Sequence, residues 1–177
     1  MKHKRQIPSW LQLFLSQRPS SHELEAVTIG GGTIFAGGGK CITPAMVRKV
    51  NPGLIVPLTR QHLPLPFRGK YTVLAAPLED FAGTHPDWAN LVKEVAAEVA
   101  SGKTVLCYCD AGHGRTGTLL ASLIAVMEPQ IADPLAAVRE RYCVHAVETT
   151  AQAQAIFALR QQEVPQQYRG TFTGDRS

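Results

Sequence analysis

Cys109 and Arg115 bracket a cluster of glycines in the stretch Cys109-Asp110-Ala111-Gly112-His113-Gly114-Arg115-Thr116-Gly117. These residue types at this spacing suit chemistry on a phosphate ester. An arginine presents a planar fork of donors matched to phosphate oxygens, and the N–H groups of a tight loop can surround the oxygens that remain. A cysteine at the bottom of such a cradle is a nucleophile, and its thiolate is favoured by a helix N-terminus, by a guanidinium and by a neighbouring hydroxyl such as that of Thr116. The amides of Asp110, Ala111, Gly112, His113, Gly114 and Arg115 are the candidate phosphate-binding set. A bare Cys-x5-Arg match is weak; the glycines, Thr116 and the flanking pattern strengthen it.

That flanking pattern is a buried strand, a loop and a helix. Thr104 to Tyr108 is a short run rich in β-branched and apolar residues behind Gly102, whereas Leu119, Leu120, Leu123, Ile124 and Met127 recur at helical spacing. A loop entering a helix N-terminus offers unpaired N–H groups at the positive end of the helix dipole, which makes an anion site. Gly112-x-Gly114-x-x-Gly117 also satisfies the dinucleotide fingerprint, which needs an acidic residue ending the next strand about twenty residues on. Glu128-Pro129 and Asp133-Pro134 fall in range but read as a helix stop and a helix start, with no strand between them, which argues against a dinucleotide.

The segment Cys109 to Gly117 resembles the signature loop of the cysteine-dependent protein tyrosine phosphatase superfamily, in particular the small atypical dual-specificity phosphatases. The resemblance runs from about Thr28 to Leu159. One position departs: Tyr108 stands where the family usually has a histidine that supports the loop. The resemblance implies roles for three further stretches. Pro77-Leu78-Glu79-Asp80-Phe81 looks like the mobile loop carrying the general acid, Asp80, which delivers a proton to the leaving oxygen. Ala146-Val147-Glu148-Thr149-Thr150-Ala151-Gln152 is similar to the stretch that positions the hydrolytic water, through Glu148 and Gln152. His113 would point to the pocket wall. Read from the residues alone, Asp80 is a turn aspartate and Glu148 an acidic residue beside a helix cap.

At 177 residues and 45% hydrophobic, the chain suits one domain with a sizeable core. A net charge of +4 and a pI near 9.0 fit an anionic substrate, but the basic residues are scattered and aromatics few, so nucleic-acid binding is not expected. Four cysteines, at 41, 107, 109 and 143, make no regular disulfide framework and point to a reducing, cytoplasmic compartment. The start imitates a signal peptide, but its apolar part around Trp10 to Leu15 is short and broken by Gln12. No stretch of about twenty apolar residues is present to span a bilayer. A zinc set from His85, Cys107, Cys109 and His113 has the wrong spacing for a closed finger, so no metal and no cofactor are expected. Gly37-Gly38-Gly39-Lys40 lacks the rest of a Walker pattern.

The chain divides into a basic arm (1–24) with a short amphipathic helix around Trp10 to Ser16, a domain (25–164), and a polar tail (165–177) expected to be disordered. Val27–Ile29 and Thr33–Ala36 read as a hairpin, Leu54–Leu58 and Tyr71–Ala75 as buried strands. Helices are predicted from Thr43-Pro44 to Val50, over Pro86–Ala100, from Asp133-Pro134 to Arg141, and from a Thr149 or Thr150 cap to about Gln162. Alternating strands and helices predict an α/β fold, a mostly parallel central sheet with helices on both faces and the site at the carboxyl end of a central strand. The reading is a metal-independent protein phosphatase acting on phosphotyrosine and on phosphoserine or phosphothreonine through a cysteinyl-phosphate. Its catalytic residues are Cys109, Arg115, Asp80 and Thr116; phosphate, sulfate or vanadate would occupy the site, and a monomer is expected. The alternatives are a phosphoinositide, inositol-phosphate or RNA 5′-phosphatase on the same scaffold, or a weakly active phosphate-binding module.

Overall fold

The computed structural model describes residues 21–60 and 69–176. The helix expected around Trp10 to Ser16, nearly all of the basic arm, and 61–68 of the proline-rich connection lie outside the described residues.

Strands β1 (Glu25–Ile29) and β2 (Gly32–Gly38) form the antiparallel hairpin, turning through Gly30 and Gly31, both at positive φ. Strands β3 (Leu54–Pro57), β4 (Thr72–Val73) and β5 (Val105–Cys109) complete a five-stranded sheet in the order β1-β2-β5-β3-β4, parallel everywhere except between β1 and β2. Every residue of β3 and β5 is buried, as parallel strands covered on both faces require. Alternation along β5 sends Val105, Cys107 and Cys109 into the larger core and Leu106 and Tyr108 into a smaller one with Ile42, Val47 and Ile55. Helix α1 (Pro44–Val50) supplies Val47 to the smaller core. Helices α2 (Trp88–Ala100), α3 (Gly114–Met127), α4 (Pro134–Arg141) and α5 (Thr150–Ala158) serve the larger one. Helix α3 is its axis, with every residue from Gly114 to Ala125 buried.

The caps follow the sequence. Thr43 Oγ1 accepts from Met46 N ahead of Pro44, the Asp133 carboxylate accepts from Leu135 N and Ala136 N ahead of Pro134, and Thr149 Oγ1 accepts from Gln152 N. Other features differ from expectation. Helix α2 starts at Trp88 rather than Pro86, with Asn90 N and Leu91 N donating to the Asp87 carbonyl. Strand β4 is two residues long and exposed, because as an edge strand it has β3 alone for a neighbour among the described residues. Helix α5 ends at Ala158, and Gln161 then adopts a left-handed turn.

The segment after Pro165, expected to be a disordered tail, folds into short turns at Gln166–Tyr168 and Thr173–Arg176. Tyr168 and Phe172 are buried in the larger core, and the Arg139 guanidinium lies 5.8 Å from the centre of each ring. Polar composition averaged over the segment hides these two aromatic anchors, whose burial holds it in place.

Candidate active site

Strand β5 ends at Cys109, the loop occupies residues 110–113, and α3 begins at Gly114. Gly112 has φ +82, and a Cβ on it would lie 2.5 Å from backbone atoms of Gly37 and Gly38, so glycine is what lets the loop rest against β2. The loop's carbonyls are tied outward: Asp110 O accepts from Gly39 N (3.1 Å), Ala111 O from His22 N (2.7 Å) and Gly112 O from the Tyr142 hydroxyl (2.5 Å). Because each peptide's N–H is antiparallel to its C=O, these bonds turn the N–H groups of Ala111, Gly112 and His113 the other way. The Gly112 N–H accordingly donates to Cys109 Sγ at 3.2 Å. The result is a nest of donors around the sulfur.

Arg115, on the first turn of α3, has only 4% of its side chain exposed. Its Nη1 donates to Leu78 O (3.1 Å) and its Nη2 to Asp110 Oδ2 (2.7 Å), with Asp80 Oδ1 3.2 Å from Nη2. Burial works against its charge, but the Asp110 hydrogen bond, the Cys109 sulfur and Asp80 together hold the guanidinium above its ordinary pKa. Two buried polar atoms here, Arg115 Nε and Thr116 Oγ1, have no hydrogen-bond partner among the described residues. Buried polar groups are rarely left so, and an anion's oxygens would satisfy them.

Asp110 sits at the loop's rim, where Thr59 Oγ1 donates to its Oδ1 at 2.6 Å. Partial burial pushes its carboxyl up, but the Thr59 and Arg115 bonds outweigh that and hold it below the usual carboxylate range. Asp80 is exposed and comes to Arg115 because the main chain before it is pinned: Ala76 N bonds Pro57 O (3.0 Å) and Leu78 N bonds Leu58 O (3.1 Å). Its neighbour Glu79 turns instead to Arg60.

Glu148 meets the same turn of α3, and Gln152 holds the Glu148 main chain. Glu148 is 5% exposed, and a Cβ on Gly114 would fall 2.0 Å from its Oε2, so its carboxylate lies directly over that glycine. Gln152 Oε1 accepts from Glu148 N at 2.7 Å, while its Nε2 is buried with no hydrogen-bond partner among the described residues. Arg139 steadies the approach, donating to Ala146 O and Val147 O, each at 3.0 Å.

His113 differs from expectation. Its ring is fully buried, hydrogen-bonded through Nδ1 to Cys143 Sγ at 3.2 Å, and so lines no pocket wall. What it offers the site is its main chain. Tyr108 packs in the smaller core, where burial raises its phenol to about 12. Thr59, Tyr142 and His22, which hold the loop from outside, carried no signal in the sequence because each reaches it from a distant segment.

A family model described as polymorphic toxin system, DSP-PTPase phosphatase matches residues 44–128. The uncharacterized protein MJECL20 of Methanocaldococcus jannaschii is 36% identical over 88 residues, 49% of this chain and 58% of that protein. The chain thus spans little more than half the length of this relative. The solved structure of Tk-PTP in its active form superposes with a TM-score of 0.63 at 22% identity, covering 77% of this chain and 97% of that one. DUSP15 gives 0.61 at 15%, covering 76% and 85%. The architecture is therefore that of the dual-specificity phosphatase fold. In loop sequence and in fold, the chain resembles the small atypical dual-specificity phosphatases of the cysteine-dependent protein tyrosine phosphatase superfamily.

Proposed function

We propose that the protein is a cysteine-dependent phosphatase that hydrolyses phosphate monoesters on proteins, on tyrosine and on serine or threonine. The observation that carries this is the convergence of Cys109, receiving the Gly112 N–H, with a buried Arg115 that faces Asp80. In the first step Cys109 Sγ attacks phosphorus, the bond to the leaving oxygen breaks, and Asp80 gives that oxygen its proton. The loop amides from Asp110 to Arg115, with the Arg115 fork, hold the equatorial oxygens, and the Thr116 hydroxyl supports the sulfur as it departs in the second step. Asp80 then takes a proton from water, which attacks phosphorus and releases Cys109. Glu148, over the first turn of α3, and Gln152, bonded to its main chain, orient that water.

Asp110 favours a singly phosphorylated side chain over phosphoinositides, inositol phosphates or RNA 5′-ends, since a carboxylate at the rim repels additional phosphates. The reaction calls for no metal or cofactor, and the protein works as a monomer in the cytoplasm. No helix among the described residues is long and apolar enough to cross a membrane.

The test is turnover, with chelator present, on phosphotyrosine and phosphoserine peptides, phosphoinositides and 5′-phosphorylated RNA. Peptide turnover should dominate. Cys109→Ser should abolish it while retaining vanadate binding, and Arg115→Lys, which loses the bidentate contact, should cut it about 100-fold or more. Turnover by Cys109→Ser would refute the covalent route, and vanadate binding with no turnover on any substrate would favour the binding-module alternative.

A further inference from the structure

We propose that His22, His113 and Cys143 form a binding site for a thiophilic divalent cation, with zinc as the metal, on the carbonyl side of the phosphate-binding loop. The three residues come from separate segments, yet one donor atom from each lies within 4.8 Å of the other two. A tetrahedral zinc with bonds of about 2.1 Å to nitrogen and about 2.3 Å to sulfur sets its donors roughly 3.4 to 3.7 Å apart. His113 Nδ1 and Cys143 Sγ stand at 3.2 Å, so small side-chain movements open the space the ion needs. Two imidazoles and a thiolate select zinc over magnesium or calcium, which prefer oxygen. Water fills the fourth position.

The site is held before any metal arrives. His22 is fixed by its N–H bond to Ala111 O, Cys143 by its N–H bond to Val138 O (3.3 Å), and His113 by the loop itself. Glu25 Oε1 lies 3.5 Å from His22 Nε2, near enough for a small movement to let that nitrogen donate to the carboxylate while Nδ1 binds the metal. His113 and Cys143 are buried whereas His22 is half-buried, so the ion enters from the His22 side. On binding, the Cys143 S–H bond is replaced by a sulfur–zinc bond and its proton passes to solvent. The ion then joins the segment at His22, the phosphate loop and the chain after α4, stapling the loop from behind without touching the reacting groups. None of this depends on the phosphatase reading.

The experiment uses the full chain as Cys109→Ser, which removes the rival thiolate at the loop's mouth. Metal-free protein is titrated with zinc against a chromophoric chelator, and with cobalt(II), whose bond to a thiolate gives a charge-transfer band. One equivalent should bind, the cobalt band should vanish in Cys143→Ala, zinc should protect Cys143 from alkylation, and His22→Ala should weaken binding at least about tenfold. Because Cys143 is buried, folding of each variant is checked by circular dichroism; if Cys143→Ala fails to fold, His22→Ala and the alkylation assay decide. No binding beyond a buffer-only control, or binding unchanged in His22→Ala and without protection of Cys143, overturns the proposal.

Discussion

Arg115 faces two carboxylates whose separate effects can be read by substitution. Asp110 is held close by Thr59, so it screens the guanidinium from an incoming anion. Asp110→Asn should tighten phosphate inhibition on the order of fivefold, from about 1 kcal/mol of repulsion relieved in a water-filled mouth, and should narrow the preference against doubly phosphorylated substrates. Inhibition constants measured across ionic strength check both. The pH sign follows from the folded carboxyl titrating lower than the unfolded one: Asp110 contributes stability above its unfolded value of about 4, and the contribution is lost as pH falls through the folded value. The difference in unfolding free energy between the wild type and Asp110→Asn should therefore shrink below about pH 4. Asp80, by contrast, is the proposed proton donor and faces Arg115 from the open side of the site. Asp80→Asn should slow phosphopeptides far more than activated aryl phosphates, whose leaving groups depart unaided. Asp87, whose carboxylate makes no cap bond at α2, should show no such dependence when changed to Asn. A leaving-group series run on both variants separates them.

At the scale of elements, the phosphate loop is shaped by its neighbours as much as by its own glycines. A side chain on Gly112 meets the backbone of β2, which cannot step aside, and its positive φ adds strain. Gly112→Ala should cost about 2 to 4 kcal/mol and remove most activity, because the amide that faces Cys109 moves with it. Gly31, in the hairpin turn, also has a positive φ, but a Cβ there would meet nothing within 4 Å, so Gly31→Ala should cost only about 1 kcal/mol and leave turnover intact. Urea unfolding beside steady-state kinetics distinguishes general destabilisation from loss of the loop.

For the whole molecule, the core does not stop where α5 ends. Phe172 is 1% exposed, Tyr168 donates to the Asp133 carboxylate at 2.6 Å, and Gly174 N bonds Glu148 O at 2.8 Å. The C-terminal segment thus closes over the Glu148 turn. Phe172→Ala should destabilise the domain by about 3 to 5 kcal/mol, measured by thermal or urea unfolding. A change within about 0.5 kcal/mol would show that the segment contributes little in solution.

The strand-loop-helix at Val105–Met127, the capped starts of α1, α4 and α5, the hairpin and the mostly parallel sheet were legible in the sequence because each rests on local rules: periodicity, capping chemistry and glycine turns act over a few residues. The same holds for Cys109 and Arg115, which lie within one loop. The start of α2, the end of α5, the brevity of β4 and the packed C-terminal segment were not legible, since they depend on which distant surface an element meets. Asp80 reached Arg115, Glu148 settled over Gly114, and the His113 ring turned from the pocket to Cys143 through contacts between separate segments. No spacing along the chain encodes those approaches. Tertiary packing sets them, by choosing which polar groups are buried together and must satisfy one another.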